Sequence, residues 1–74
     1  MKKPMLELKL VRKSKNLTRD NLSELSGVPK ITIQSLEDGL VDTDNVKLST
    51  LVKLAIALKV KVRKILPIDT ANKL

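Results

Sequence analysis

Within LSELSGVPKITIQSLEDG, Leu22 to Gly39, one helical pattern stops at Gly27-Val28-Pro29 and a second starts at once. Gly27 can take, at little cost, the left-handed conformation that ends a helix, and Pro29, with no N–H to offer, is tolerated in the first turn of the next. Two short helices are therefore expected back to back, the second closed by Gly39. A turn this tight packs the two helices and fixes the angle between them.

The flanking sequence continues the helical pattern. In MLELKLVRKSK, Met5, Leu8 and Val11 recur three apart with Leu10 beside them, and the basic residues gather toward the C-terminal end, where they suit the helix dipole. Leu6, Leu8 and Leu10 also alternate as a strand would. Asn16 ends this first helix, Thr18 is a good N-cap for the second, Asp20 stands in its first turn, and Leu22 and Leu25 are expected to face inward. In the third helix Ile33 and Leu36 pack inward, leaving Lys30, Ile31, Thr32, Gln34 and Ser35 on the outer face. The acidic stretch LVDTDNVK, residues 40–47, reads as a loop. LSTLVKLAIALKV then gives the strongest helical signal, with Leu48, Leu51, Val52, Ala55 and Leu58 on one stripe. VKVRKIL alternates apolar and basic residues and is either a short fifth helix or an extended segment, with context favouring the helix. The expectation is one all-α domain over residues 1–74, a compact five-helix bundle with short flexible ends at about 1–4 and 69–74.

Chemistry by side-chain type is narrow. The chain has no Cys and no His, which removes disulfides, thiolate chemistry, zinc sites with N/S ligands and the usual general base near neutral pH. No nucleophile, base and orienter can be assembled, so no enzyme, no cofactor, no metal and no small-molecule substrate is expected. No Phe, Tyr or Trp is present either, so the stacking platforms of single-strand binders are missing and a nucleic-acid partner would be duplex. The net charge is +7, and residues 1–35 hold eight basic against three acidic side chains, residues 36–74 seven against five. The surplus suits a polyanion, or a merely solvated surface, and it lies in the N-terminal half. The longest apolar run, Leu54 to Leu58, is too short for a membrane span or a signal peptide, so a cytoplasmic protein is expected.

Two helices around a tight glycine turn occur both in ordinary hairpins and in the unit that braces one helix across the DNA backbone and sets the next in the major groove. The sequence resembles the phage repressor and Cro family of helix-turn-helix DNA-binding domains, also called the xenobiotic-response-element family. The resemblance runs from LVRKSKNLTRDNLSELSGVPKITIQSLEDG through LSTLVKLAIALKVKVRKIL. Val11-Arg12, Leu17-Thr18, Leu22, Gly27-Val28, Ile33, Leu36-Glu37 and Gly39 fall in the family's register, as do Thr50-Leu51, Lys53-Leu54-Ala55 and Ala57-Leu58. It implies a lambda-repressor-like bundle and a sequence-specific regulator of transcription, a repressor, reading a palindromic operator in double-stranded DNA.

Carried over residue by residue, the resemblance makes Pro29, Lys30, Ile31 and Ser35 base-reading positions, with Thr32 and Gln34 beside them. Lys30 could donate to guanine, Gln34 pair with adenine and Ile31 touch a thymine methyl. Thr18 and Arg19 match phosphate-binding positions, with Lys15, Asn16, Lys2 and Lys3 as further phosphate candidates. Arg12 and Glu37 match a family ion pair that would tie the reading helix to the first helix.

Several positions depart from the pattern. Arg19 replaces a glutamine, Ser23 a small apolar residue, Pro29 a capping Ser or Thr, and Asp38 a polar phosphate ligand; an acid at 38 should repel the backbone. The loop after Gly39 is longer than usual and carries Asp42 and Asp44. These acids keep open a second reading, an interaction module of the same fold that engages a partner such as a toxin or an anti-repressor. Val60, Val62, Ile65, Leu66 and Ile68 are the expected homodimer surface, unless they complete the core beneath the first helix.

Overall fold

The computed structural model describes residues 5–41 and 46–66. The expectations made for Lys2, Lys3, Asp42, Asp44, Ile68 and the two chain ends lie outside the described residues. Among the described residues the chain forms five helices and no strand: α1 (Leu6–Ser14), α2 (Arg19–Ser26), α3 (Lys30–Asp38), α4 (Leu48–Leu58) and α5 (Val62–Ile65). α2 packs against α3 and α4, while α1 packs against α3 and α5.

The alternation of Leu6, Leu8 and Leu10 resolves as helix. Leu8 is fully buried while Leu6 and Leu10 are exposed, an arrangement that a strand, with all three on one face, could not produce. VKVRKIL likewise supplies the one-turn α5, which sends Ile65 and Leu66 into the core.

The core is aliphatic throughout. Met5, Leu8 and Val11 form one buried cluster with Leu22, Val28, Ile33, Leu36, Leu51, Leu54, Ala55, Leu58, Ile65 and Leu66. Each Leu or Ile withdrawn from water contributes roughly 1.5–3 kcal/mol, so a dozen aliphatic side chains can hold the bundle without aromatic residues. The Met5 N–H donates to the Leu36 carbonyl at 2.9 Å, so the chain entering α1 is tied to the end of α3.

Two expectations on facing are corrected. Leu25 is 62% exposed, because the inner face of α2 runs through Arg19, Leu22, Ser23 and Ser26 and a three-residue step from Leu22 leaves that face. On α4 the buried stripe is Leu51, Leu54, Ala55 and Leu58, while Leu48 and Val52 are exposed together with Ile56. Both faces of α4 are apolar, so periodicity alone could not choose between them.

The turn between α2 and α3 is held by side chains as well as by glycine. Gly27 has φ 77°, and its N–H donates to the Ser23 carbonyl at 2.9 Å. The Ser23 hydroxyl donates to the Val28 carbonyl at 2.7 Å. Ser26 Oγ donates to the Leu22 carbonyl at 2.7 Å and accepts from the Val28 N–H at 3.1 Å. Val28 is thereby pinned through both backbone groups as its side chain enters the core.

Candidate nucleic-acid interface

Each helix of the unit is positioned at its N-terminus. Thr18 Oγ1 accepts from the Asn21 N–H at 3.0 Å, and Asn21 Oδ1 accepts from the Thr18 N–H at 3.1 Å, a reciprocal cap that starts α2. The Thr18 cap matches expectation; the returning bond from Asn21 does not follow from the usual Glu or Gln signature. Pro29, expected in the first turn of α3, is instead its extended N-cap, with φ −56° and ψ 141°. Its carbonyl accepts from Thr32 and Ile33, but it has no side chain to cap the helix, so the first N–H groups of α3 have no N-cap side chain as partner.

α3 buries Ile33, Leu36 and Glu37 and turns its other side out. Lys30 and Ile31 are exposed at its N-terminal end, while Thr32, Gln34 and Ser35 are half-buried. Thr32 and Ser35 edge a cleft that also takes Val41, Val46 and Thr50, so they sit at the border of the outer face rather than at its centre. Ile31, at 66% exposure, is the most prominent apolar group on the helix.

An ionic network anchors this helix from behind. Arg12 Nε and Nη2 donate to the two oxygens of Glu37 at 2.8 and 3.0 Å, and Arg12 Nη1 donates to the Leu17 carbonyl at 2.8 Å. Arg19 Nε donates to Glu37 Oε1 at 3.0 Å, and its Nη2 to Asp38 Oδ1 at 3.3 Å. Burial pushes the Glu37 carboxyl upward, but the hydrogen bonds from Arg12 and Arg19 outweigh it and hold the group below its ordinary value. The bond from Glu37 in turn raises Arg19 above the usual arginine value. Asp38, expected to repel phosphate, is a partner of Arg19, and Arg19, expected at a phosphate-binding position, is held by two carboxylates.

Beside the network lies an open groove where α1, α2 and α3 converge, lined by Lys9, Lys13, Thr18, Arg19, Asp20 and Lys30 among others. Lys30 Nζ lies 3.2 Å from Asp20 Oδ1, a bridge between the first turns of α2 and α3. Lys15 and Asn16 are exposed at the end of α1 but do not line the groove. Lys9 and Lys13 were missed by sequence reasoning, although their spacing of four on α1 places them on one side of that helix.

The helix-turn-helix family model matches residues 8–65. The chain belongs to the helix-turn-helix family. Solved structures agree with that placement. This helix-turn-helix chain is 31% identical to the restriction-modification controller protein C.AhdI from Aeromonas hydrophila, with TM-score 0.74 over 82% of this chain and 88% of that one. It is 31% identical to SinR, the master regulator for biofilm formation, solved in complex with DNA, with TM-score 0.74 over 82% of this chain and 97% of that one. A hypothetical transcription factor, NHTF from Neisseria, gives 25% identity and TM-score 0.70 over 90% of this chain and 75% of that one. No curated protein matches the sequence.

Among the described residues of this helix-turn-helix domain, no helix is long and apolar enough to cross a membrane, and no cluster of three His, Cys, Asp or Glu side chains could hold a metal ion. The apolar residues of the C-terminal region divide. Ile65 and Leu66 lie in the core against α1 and are withdrawn from any dimer surface, a correction to the expected pairing set, whereas Val60 and Val62 are half-buried.

Proposed function

We propose that this protein is a sequence-specific regulator that binds double-stranded DNA, with α3 in the major groove. The observation that carries the reading is the presentation of α3: Lys30 and Ile31 are exposed at its N-terminal end, with half-buried Gln34 one turn on, and the helix is locked from behind by Arg12 and Glu37, next to a groove lined by Lys9, Lys13 and Arg19. Lys30 would donate to a guanine edge, Gln34 to an adenine edge, and Ile31 would cover a thymine methyl, each good contact discriminating by roughly 1–3 kcal/mol. Phosphate would meet the α2 N-terminus at Thr18 and Arg19 and the lysines of the groove, with Lys15 and Asn16 at its margin. Pro29 would contribute shape rather than a hydrogen bond, and Thr32 and Ser35 would reach only the edge of the groove.

The structure solved with DNA for SinR supports this assignment by likeness. The finer reading is a cytoplasmic repressor without enzymatic activity, acting as a homodimer on a palindromic operator whose half-sites lie about one helical turn, roughly 34 Å, apart. Val60 and Val62 are the pairing residues left available. Equilibrium binding to a duplex selected from a random pool, against a scrambled duplex at the same salt, tests the proposal. A ratio well above tenfold supports it, and equal binding to both contradicts it.

A further inference from the structure

Two cations of the proposed DNA face are already held by carboxylates. Asp20 Oδ1 stands 3.2 Å from Lys30 Nζ, and Asp38 Oδ1 stands 3.3 Å from Arg19 Nη2. Both bridges bind a group that DNA would claim, and both are open to solvent, with Asp20 69% and Asp38 39% exposed at the side chain. Neither is needed to neutralise a buried charge, since Glu37 is satisfied by Arg12 and Arg19 from within. Asp38 also shares the outer side of α3 with Ile31 and Gln34, at helical steps of seven and four.

We propose that Asp20 and Asp38 limit affinity, holding Lys30 and the outer Nη2 of Arg19 back from the phosphates of any duplex. The inference rests on the DNA-binding reading given above. Non-specific binding is driven by release of counterions when protein cations neutralise phosphates. A cation already paired with a carboxylate neutralises no phosphate until the bridge opens, and the freed carboxylate then repels the backbone. Any duplex offers phosphates, so a non-cognate site gains little from that exchange. A cognate site that offers a base edge to Lys30 opens the Asp20 bridge as well, and a good base contact, worth roughly tenfold or more in discrimination, outweighs that cost without removing it. The two aspartates therefore lower binding to every sequence.

The experiment uses the full chain and compares wild type with Asp20→Asn, Asp38→Asn and the double variant, on a selected and a scrambled duplex over a series of salt concentrations. Glu7→Gln is the charge control, because Glu7 falls on the side of α1 away from Lys9 and Lys13. Each Asp→Asn change is expected to tighten binding to the scrambled duplex by about fivefold at low salt, the upper end of what an exposed bridge contributes, and to steepen the salt slope by about one unit. Binding to the selected duplex should tighten as well, because the same bridges open there. Scrambled-duplex binding no tighter than that of Glu7→Gln overturns the proposal, and so does binding to the selected duplex that does not change. The scrambled arm needs no cognate sequence. It still decides the role of the aspartates if wild type selects no sequence, a result that counts against the DNA-binding reading itself.

Discussion

Arg12 and Glu37, 25 residues apart in the chain, meet through paired hydrogen bonds of 2.8 and 3.0 Å in a site where both are buried. This contact joins α1 to α3, and Arg19 joins α2 to the same carboxylate at 3.0 Å. One acid thus sets three helices. Removing it strands the buried Arg12, which costs about 3 kcal/mol or more, a large share of the stability of so small a domain. Glu37→Ala is expected to lower Tm by more than about 10 °C, and Arg12→Ala to do nearly the same. Thermal melting of the two single variants and the double variant checks this: the double should lose clearly less than the sum, since the second deletion removes a group already without its partner.

Acid should loosen the same contact. Glu37 is held below its ordinary value, so between the two values the unfolded chain binds a proton that the folded chain does not. The stabilisation is therefore fully present above the ordinary value of 4.5 and is lost as pH falls through the lower folded value. Denaturant titrations from pH 6 to pH 3 should show wild type losing stability in the acid range and Glu37→Gln, weaker at neutral pH, losing less of it there.

The α2–α3 turn makes a sharper test of backbone against packing. A Cβ added at Gly27 would meet no atom within 4 Å, so Gly27→Ala should cost only the strain of a left-handed alanine, about 1 kcal/mol. Gly27→Asn, which tolerates that conformation better, should cost less. Chemical denaturation of both variants measures the difference, and a much larger loss for alanine would mean that the turn is crowded.

Lys59 closes α4 in the left-handed region at φ 60°, and the Val60 N–H behind it donates to the Ala55 carbonyl at 3.0 Å. A lysine there carries strain that glycine would not. Lys59→Gly is expected to raise stability by about 1 kcal/mol, read as a higher Tm with no change in DNA binding.

The helix order, the Gly27 stop, the Thr18 cap and the aliphatic core were legible in the sequence because each rests on local rules of spacing and capping. What was not legible depended on choices between equivalent patterns or on groups brought together by the fold. α4 is apolar on two faces, so Leu48 and Val52 could not be told from Leu54 by period. Ser23 read only as a replacement for a small apolar residue, and the grip of Ser23 and Ser26 on Val28 follows from the turn geometry alone. The Asp20–Lys30 and Asp38–Arg19 bridges link α2 to α3, and their distances emerge only once the helices cross. Pro29 and Asp38, the residues that fitted the family pattern least, differ in outcome: Pro29 simply begins the helix from outside it, while Asp38 restrains a cation of the same face.

The central claim is that α3 reads base sequence. It is tested most directly by selecting bound sequences from a random duplex pool at one stated salt concentration with wild type and with Lys30→Ala. The account predicts a defined motif for wild type and loss of preference at one base position for Lys30→Ala, the others being retained. No enriched motif for wild type at low salt, or an unchanged motif for Lys30→Ala, would contradict it.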